Sequence, residues 1–160
     1  MGKSTVGPRV ADALRVNYYD TDDWMEKVAG IDVPNLVKTD ITAFRKLEAD
    51  TLGAILEQEP GIISTGGGIV STEVGRKALV AANAPVLWLR APFVEAAKRV
   101  FQDIGRERPL FNDVDKAREL YHERMVWYEE TSTYVIDASQ PVELVMGDII
   151  NIARSAALNF

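Results

Sequence analysis

The chain has no cysteine and a single histidine among its 160 residues. Without thiols there are no disulfides, thiolate metal sites or cysteine nucleophiles, and His122 alone makes no imidazole metal cluster. Long uncharged apolar runs are missing too, so no segment reads as a membrane span. The polar start, Met1-Gly2-Lys3-Ser4-Thr5, carries no apolar signal segment. Positive charge is in deficit: 18 Lys and Arg against 24 Asp and Glu leave a net charge of −6, which argues against a nucleic-acid partner. A phosphorylated small molecule stays compatible with this balance if a few cations gather in one cleft. With 47% hydrophobic and 26% charged residues, the chain reads as one cytoplasmic domain spanning 1–160.

Four short apolar runs, Val16–Tyr19, Gly61–Thr65, Pro85–Leu89 and Tyr134–Ile136, fail to alternate cleanly, as expected of parallel strands buried on both faces. Helical patterns separate them: Ser4–Leu14, Asp23–Ala29, Ala43–Glu57, Ser71–Ala82, Phe93–Phe101, Asp115–Glu130 and Val142–Ala156. This rhythm predicts an α/β fold of βαβ units, with ligands at the strand ends. Pro8 inside the first helical pattern should kink its opening turns.

Gly2-Lys3-Ser4-Thr5 is the end of the phosphate-loop pattern G-x-x-x-x-G-K-[ST]. Backbone N–H groups at a helix start have no intrahelical partners and sit at the positive end of the helix dipole, so they suit phosphates. The tetrapeptide alone is equally an ordinary turn and helix start. Asp20-Thr21-Asp22 closes a predicted strand, where side-chain alternation places Asp20 and Asp22 on one side. Their competing role is a helix cap with solvated charge. Arg45 and Glu48 are three apart on a helix, either an exposed ion pair or an arginine fork fixed for a carboxylate. Gly66-Gly67-Gly68 ends a buried strand without side chains, which lets a ligand approach the backbone. Arg106-Glu107-Arg108-Pro109-Leu110 reads as a loop able to close over a phosphoryl group, or as basic surface. Arg124 on the next helix points into the cleft or into solvent, His122 reads as solvated or core-edge, and Trp24, Trp88 and Trp127 read as packing residues.

In order, Gly-Lys-Ser-Thr, Asp20-Thr21-Asp22, Phe44-Arg45-x-x-Glu48, Gly66-Gly67-Gly68, Arg108-Pro109-Leu110 and Glu123-Arg124 with Tyr128-Glu129-Glu130 resemble the shikimate kinase family from Gly2 to about Ala138. The resemblance implies a P-loop three-layer sandwich around a five-stranded parallel sheet, and phosphorylation of the shikimate 3-hydroxyl by ATP and Mg²⁺ in a monomer. By the same resemblance, Gly2, Lys3, Ser4 and Thr5 would hold ATP, with Ser4 and Asp20 at the metal. Asp22 would bind the acceptor hydroxyl, either taking its proton or only orienting it. Arg45 and Arg124 would hold the shikimate carboxylate above Gly66, Gly67 and Gly68. Arg108 would reach the phosphates from a lid, and Arg99 would lie near the adenine, though its spacing to Arg108 is looser than usual. The family's first strand has no counterpart in this sequence, and Met1 stands within the phosphate loop. The expectation is therefore a chain incomplete at its N-terminus that binds ATP poorly as it stands. The competing expectations are a gluconate- or nucleoside-monophosphate-kinase-like enzyme, and a non-catalytic binding module on the same fold.

Overall fold

The computed structural model describes residues 2–30, 32–102 and 114–157. In chain order the elements are α1 (Lys3–Leu14), β1 (Asn17–Asp20), α2 (Thr21–Ala29), α3 (Val33–Thr39), α4 (Ile41–Leu56) and β2 (Gly61–Ser64). A 3₁₀ turn (Ile69–Ser71) follows, then α5 (Glu73–Ala81), β3 (Leu87–Arg90), α6 (Phe93–Gln102), α7 (Val114–Thr131), β4 (Tyr134–Asp137) and α8 (Val142–Ala157). The fold is α/β with short parallel strands amid a helical majority.

All four predicted strands form, each shifted by one or two residues. They do not make one sheet. β1 pairs with β2 and β3 with β4, both in parallel, and among the described residues nothing bonds one pair to the other. Between β2 and β3 lies an apolar cavity of about 320 Å³, lined by Ile63 and Leu87 from the strands and by Val6, Leu52, Leu79 and Ile149 from the helices. β2 and β3 thus each have one edge facing this cavity rather than a neighbouring backbone.

Three further expectations change. The pattern over Ser71–Ala82 divides into a 3₁₀ turn and α5, because the Thr72 side chain accepts the Gly75 N–H at 3.2 Å and starts a new helix. A helix the periodicity did not suggest, α3, is started by Asp32, whose carboxylate accepts the Asn35 N–H, with proline in the first turn where its missing N–H costs nothing. α1 runs unbroken from Lys3 to Leu14 with Pro8 in its second turn.

The core forms three clusters. Val6 and Val10 of α1 meet Ile136 of β4 and Val145 and Ile149 of α8. Leu52 of α4 meets Ile69, Val70 and Leu79, and Met25, Val33 and Phe44 tie α2 and α3 to α4. In α4 the buried Phe44, Glu48, Leu52 and Ile55 fall on one helical face, so a carboxylate enters the interior among apolar neighbours.

Candidate active site

The glycine loop after β2 is the centre around which the predicted residues collect. Parallel pairing sets Asp20 opposite Ser64. Two residues further on, the Thr21 hydroxyl accepts the Gly66 N–H at 3.2 Å. Thr21 is 1% exposed, so the start of α2 is locked to the loop by a buried contact.

Strand alternation is not what brings the two aspartates together. β1 ends at Asp20, and Asp22 already belongs to α2. Asp20 caps that helix, its Oδ1 accepting the N–H groups of Asp22 at 3.0 Å and Asp23 at 3.4 Å, while Oδ2 accepts the Tyr18 hydroxyl at 3.3 Å. The cap role therefore holds for Asp20. Asp22, one helical step later, turns its carboxylate toward the loop: a Cβ built on Gly66 would stand 3.4 Å from Asp22 Oδ1.

Arg45 and Glu48 are no surface pair. Glu48 is 2% exposed and forms a close, hydrogen-bonded ion pair with Arg45, which also lies over the Phe44 ring at 5.0 Å. Burial pushes the Glu48 carboxyl above the usual carboxylate range and Asp22 adds to the rise, against the opposing pull of Arg45 and Arg124. Arg124 arrives from α7, whose buried positions Ala117, Arg124 and Thr131 are spaced by seven. Its Nε donates to Ser71 Oγ at 3.1 Å. Burial lowers its pKa and the nearby Arg45 lowers it further, a sign that two cations have been brought close together inside the protein. Two guanidinium groups converging on one buried carboxylate form a receptor for a further anion.

The three glycines have a more specific reason than backbone flexibility. A Cβ at Gly66 would strike the Glu48 carboxylate, one at Gly68 would strike the Arg45 guanidinium, and one at Gly67 would stand 3.1 Å from the Tyr128 hydroxyl. Gly68 has φ −91, which any residue adopts. Side-chain space, not dihedral freedom, requires glycine here. Each glycine leaves room for one polar side chain, and the sequence alone showed only that the loop was bare.

The phosphate-loop remnant lies beside this cluster. Gly2, with φ 82, turns the chain into α1, and its carbonyl accepts the N–H groups of Thr5 at 3.0 Å and Val6 at 2.8 Å. Ser4 and Thr5 are exposed. Lys3 lines a cavity of about 80 Å³ together with Gly66, Gly67, Trp88 and Tyr128. Lys3 and the glycine floor therefore face a common space, while Gly2 and Thr5 line a separate cavity with Leu89 and Gln140. Arg99 lies on α6, and Arg108 falls outside the described residues. His122 is exposed, Trp88 is buried, and Trp24 packs edge-on to Tyr19 with ring centroids 5.9 Å apart. The contacts of three residues could not be read from the sequence: Thr21 with Gly66, Ser71 with Arg124 and Tyr128 with Gly67. Only a contact between distant segments reveals any of them.

The donor set suits a nucleotide with a hard cation. An uncapped helix start, a lysine and an exposed serine hydroxyl are phosphate and metal ligands. Among the described residues no three carboxylate or imidazole groups converge on one point. Mg²⁺ typically takes one or two protein ligands and completes its shell with phosphates and water, so it needs no all-protein cage.

Comparison with known proteins agrees with this arrangement. The sequence profile of the family described as shikimate kinase matches residues 1–154. Shikimate kinase 2 of Enterobacter sp. (strain 638) is 34% identical over 160 residues, covering 97% of this chain and 91% of that protein. The shikimate kinase of Thermobifida fusca (strain YX) is 35% identical over 140 residues, covering 87% and 80%. Of solved structures, shikimate kinase from Acinetobacter baumannii in complex with shikimate superposes with a TM-score of 0.84 at 26% identity, over 96% of this chain and 87% of that one. The Aquifex aeolicus vf5 enzyme gives 0.76 at 29% identity, over 99% and 94%. With the family profile matched over residues 1–154 and relatives 34–35% identical over most of its length, the chain belongs to the shikimate kinase family.

Proposed function

We propose that this protein transfers the γ-phosphoryl group of ATP to the 3-hydroxyl of shikimate, as a monomer in the cytoplasm, on a single P-loop sandwich domain. The observation that carries the reading is the buried set Arg45, Glu48 and Arg124 standing over Gly66–Gly68 with Asp22 at its rim. Shikimate needs a receptor for one carboxylate and a group to handle one ring hydroxyl, and this set supplies both. Arg45 and Arg124 hold the carboxylate, with Glu48 fixing the Arg45 fork. The glycine loop receives the ring, and Asp22 accepts the hydrogen bond of the reacting hydroxyl.

Gly2, Lys3, Ser4 and Thr5 bind the phosphates, Lys3 reaching the transferring group from the shared cavity. Arg108 closes over the phosphates and Arg99 lies by the adenine. Ser4 and Asp20 would hold Mg²⁺, which supplies charge neutralisation to the phosphates when bound. The Asp20 oxygens already accept from Tyr18, Asp22 and Asp23, so that carboxylate reaches the ion through water.

A coupled assay with ATP and Mg²⁺ tests the reading against shikimate, gluconate and nucleoside monophosphates. Turnover with shikimate alone is expected, in place of the weak ATP binding expected from the sequence, which family membership does not support. Faster turnover with gluconate or a nucleotide would replace it with a related kinase, and shikimate binding without turnover would make the protein a binding module.

The buried ion pair also sets a pH dependence. Because burial raises the Glu48 pKa, its protonation begins at a higher pH than for an exposed glutamate. Neutral Glu48 releases its ionic hold on Arg45, so KM for shikimate should rise as pH falls through that raised value and level off above it. Glu48→Gln cannot titrate and should show a raised KM that lacks this inflection. Coincident KM profiles for the two proteins would refute the assignment.

A further inference from the structure

Tyr128 joins the carboxylate-holding arginine to the glycine floor, and no motif in the sequence gives it a role. It sits one helical turn after Arg124 on α7, so the two side chains share a face. Its hydroxyl donates to the Gly67 carbonyl oxygen at 2.5 Å, across 61 residues of sequence. Burial pushes the Tyr128 phenol pKa up, and the nearby Arg124 charge opposes that rise. With its O–H given to Gly67, the phenol relays the position of the helix face that carries Arg124 to the glycine loop.

Packing leaves the phenol no alternative place. Its ring stacks on Trp88 of β3, with centroids 5.5 Å apart and planes 26° from parallel. Trp88 is 5% exposed and its indole N–H has no partner among the described residues, so packing alone holds the indole. The cavity on the loop's side is lined by Tyr128 together with Lys3, Gly66 and Gly67. The missing Cβ at Gly67 is what admits the hydroxyl.

We infer that Tyr128 is a positioning residue for the acceptor substrate, setting the glycine loop and the Arg124 guanidinium in one fixed relation. The inference rests on the shikimate-phosphorylating reading for what the site binds, but not for the relay itself. Tyr128 touches neither the reacting hydroxyl nor the phosphates in this scheme. Its loss should therefore weaken acceptor binding and spare both the chemical step and ATP.

Tyr128→Phe keeps the ring and its stack and removes only the hydroxyl. The expected result is a KM for shikimate raised about tenfold, equivalent to about 1.4 kcal/mol, with kcat and KM for ATP within about twofold of wild type. A twofold or smaller change in the shikimate KM, or equal rises in both KM values, would overturn the inference. In a cycle with Arg124→Lys, the two substitutions should be non-additive, because both act on the placement of one guanidinium over the loop; additive effects would count against it. Amide hydrogen exchange on the free protein forms a separate arm. The Gly66–Gly68 amides should exchange at least fivefold faster in Tyr128→Phe, while those of α8 stay unchanged. Should the wild-type protein fail to phosphorylate shikimate, the kinase reading falls and this arm alone decides: unchanged exchange refutes the relay, and faster exchange confined to the loop supports it.

Discussion

Asp22→Asn is expected to lower kcat for shikimate phosphorylation about a thousandfold, within the range general-base groups contribute, while KM for shikimate moves only a few-fold. The substitution keeps the volume and leaves the helix start intact, because the cap uses the Asp22 backbone N–H and the Asp20 carboxylate. It removes only a negative charge and a proton acceptor. Asp22 faces the glycine loop, and it stands near enough to Glu48 to raise that group's pKa. Two carboxylates share the region with different tasks. Glu48 is buried in an ion pair, whereas Asp22 stands at the rim where a ligand hydroxyl can reach it. Steady-state kinetics with shikimate varied at saturating ATP separates the terms. A kcat within tenfold of wild type would mean that Asp22 orients the hydroxyl and does not take its proton.

Gly68→Ala should reduce kcat/KM for shikimate about a hundredfold through KM, the scale on which misplacing a positioned group costs activity. One methyl group is added, at a backbone conformation alanine accepts without strain. The added Cβ would occupy the space of the Arg45 guanidinium. That guanidinium is the far end of a flexible side chain, so it swings away and the fold survives. What is lost is the geometry of the Arg45–Glu48 pair and of the fork it presents. Because Glu48 is buried, weakening its ion pair should also lower the unfolding midpoint, while shikimate affinity falls and KM for ATP holds. A large drop in the unfolding midpoint with unchanged KM would show that the glycine serves the fold instead.

Much of the architecture was legible from patterning. The four strands and most of the helices follow from short apolar runs separated by amphipathic stretches, because burial on two faces or on one stripe writes directly into residue order. α3 escaped because its seven residues are too few to show a period, and its start depends on the Asp32 cap. Patterning along the chain does not show which strands pair. Strand partners are chosen by non-local contact, and the apolar cavity between Ile63 and Leu87 has no local signature.

The site was legible as a set of residues but not as an arrangement. Asp22, Arg45, the triple glycine and Arg124 all stand out by type and spacing, yet each alone was equally compatible with caps, surface pairs and turns. Depth decided between them: Glu48 at 2% exposure and Arg124 at 9% are interior charges. Buried charge without a partner is costly, so their survival inside implies partners from other segments.

The sequence by itself determined the family, through the order of its motifs, and the chemical inventory of the site, through residue types that only phosphate and carboxylate ligands jointly require. The tertiary structure decided which side chain each glycine faces, that Asp20 serves as a cap while Asp22 faces the loop, and that the Tyr128 hydroxyl reaches the Gly67 carbonyl. The reason is range. Helix and strand periods, caps and motif spacing act over a few residues and can be read along the chain. Close approach between α4, α7 and the loop after β2 spans dozens of residues and exists only once the chain has packed.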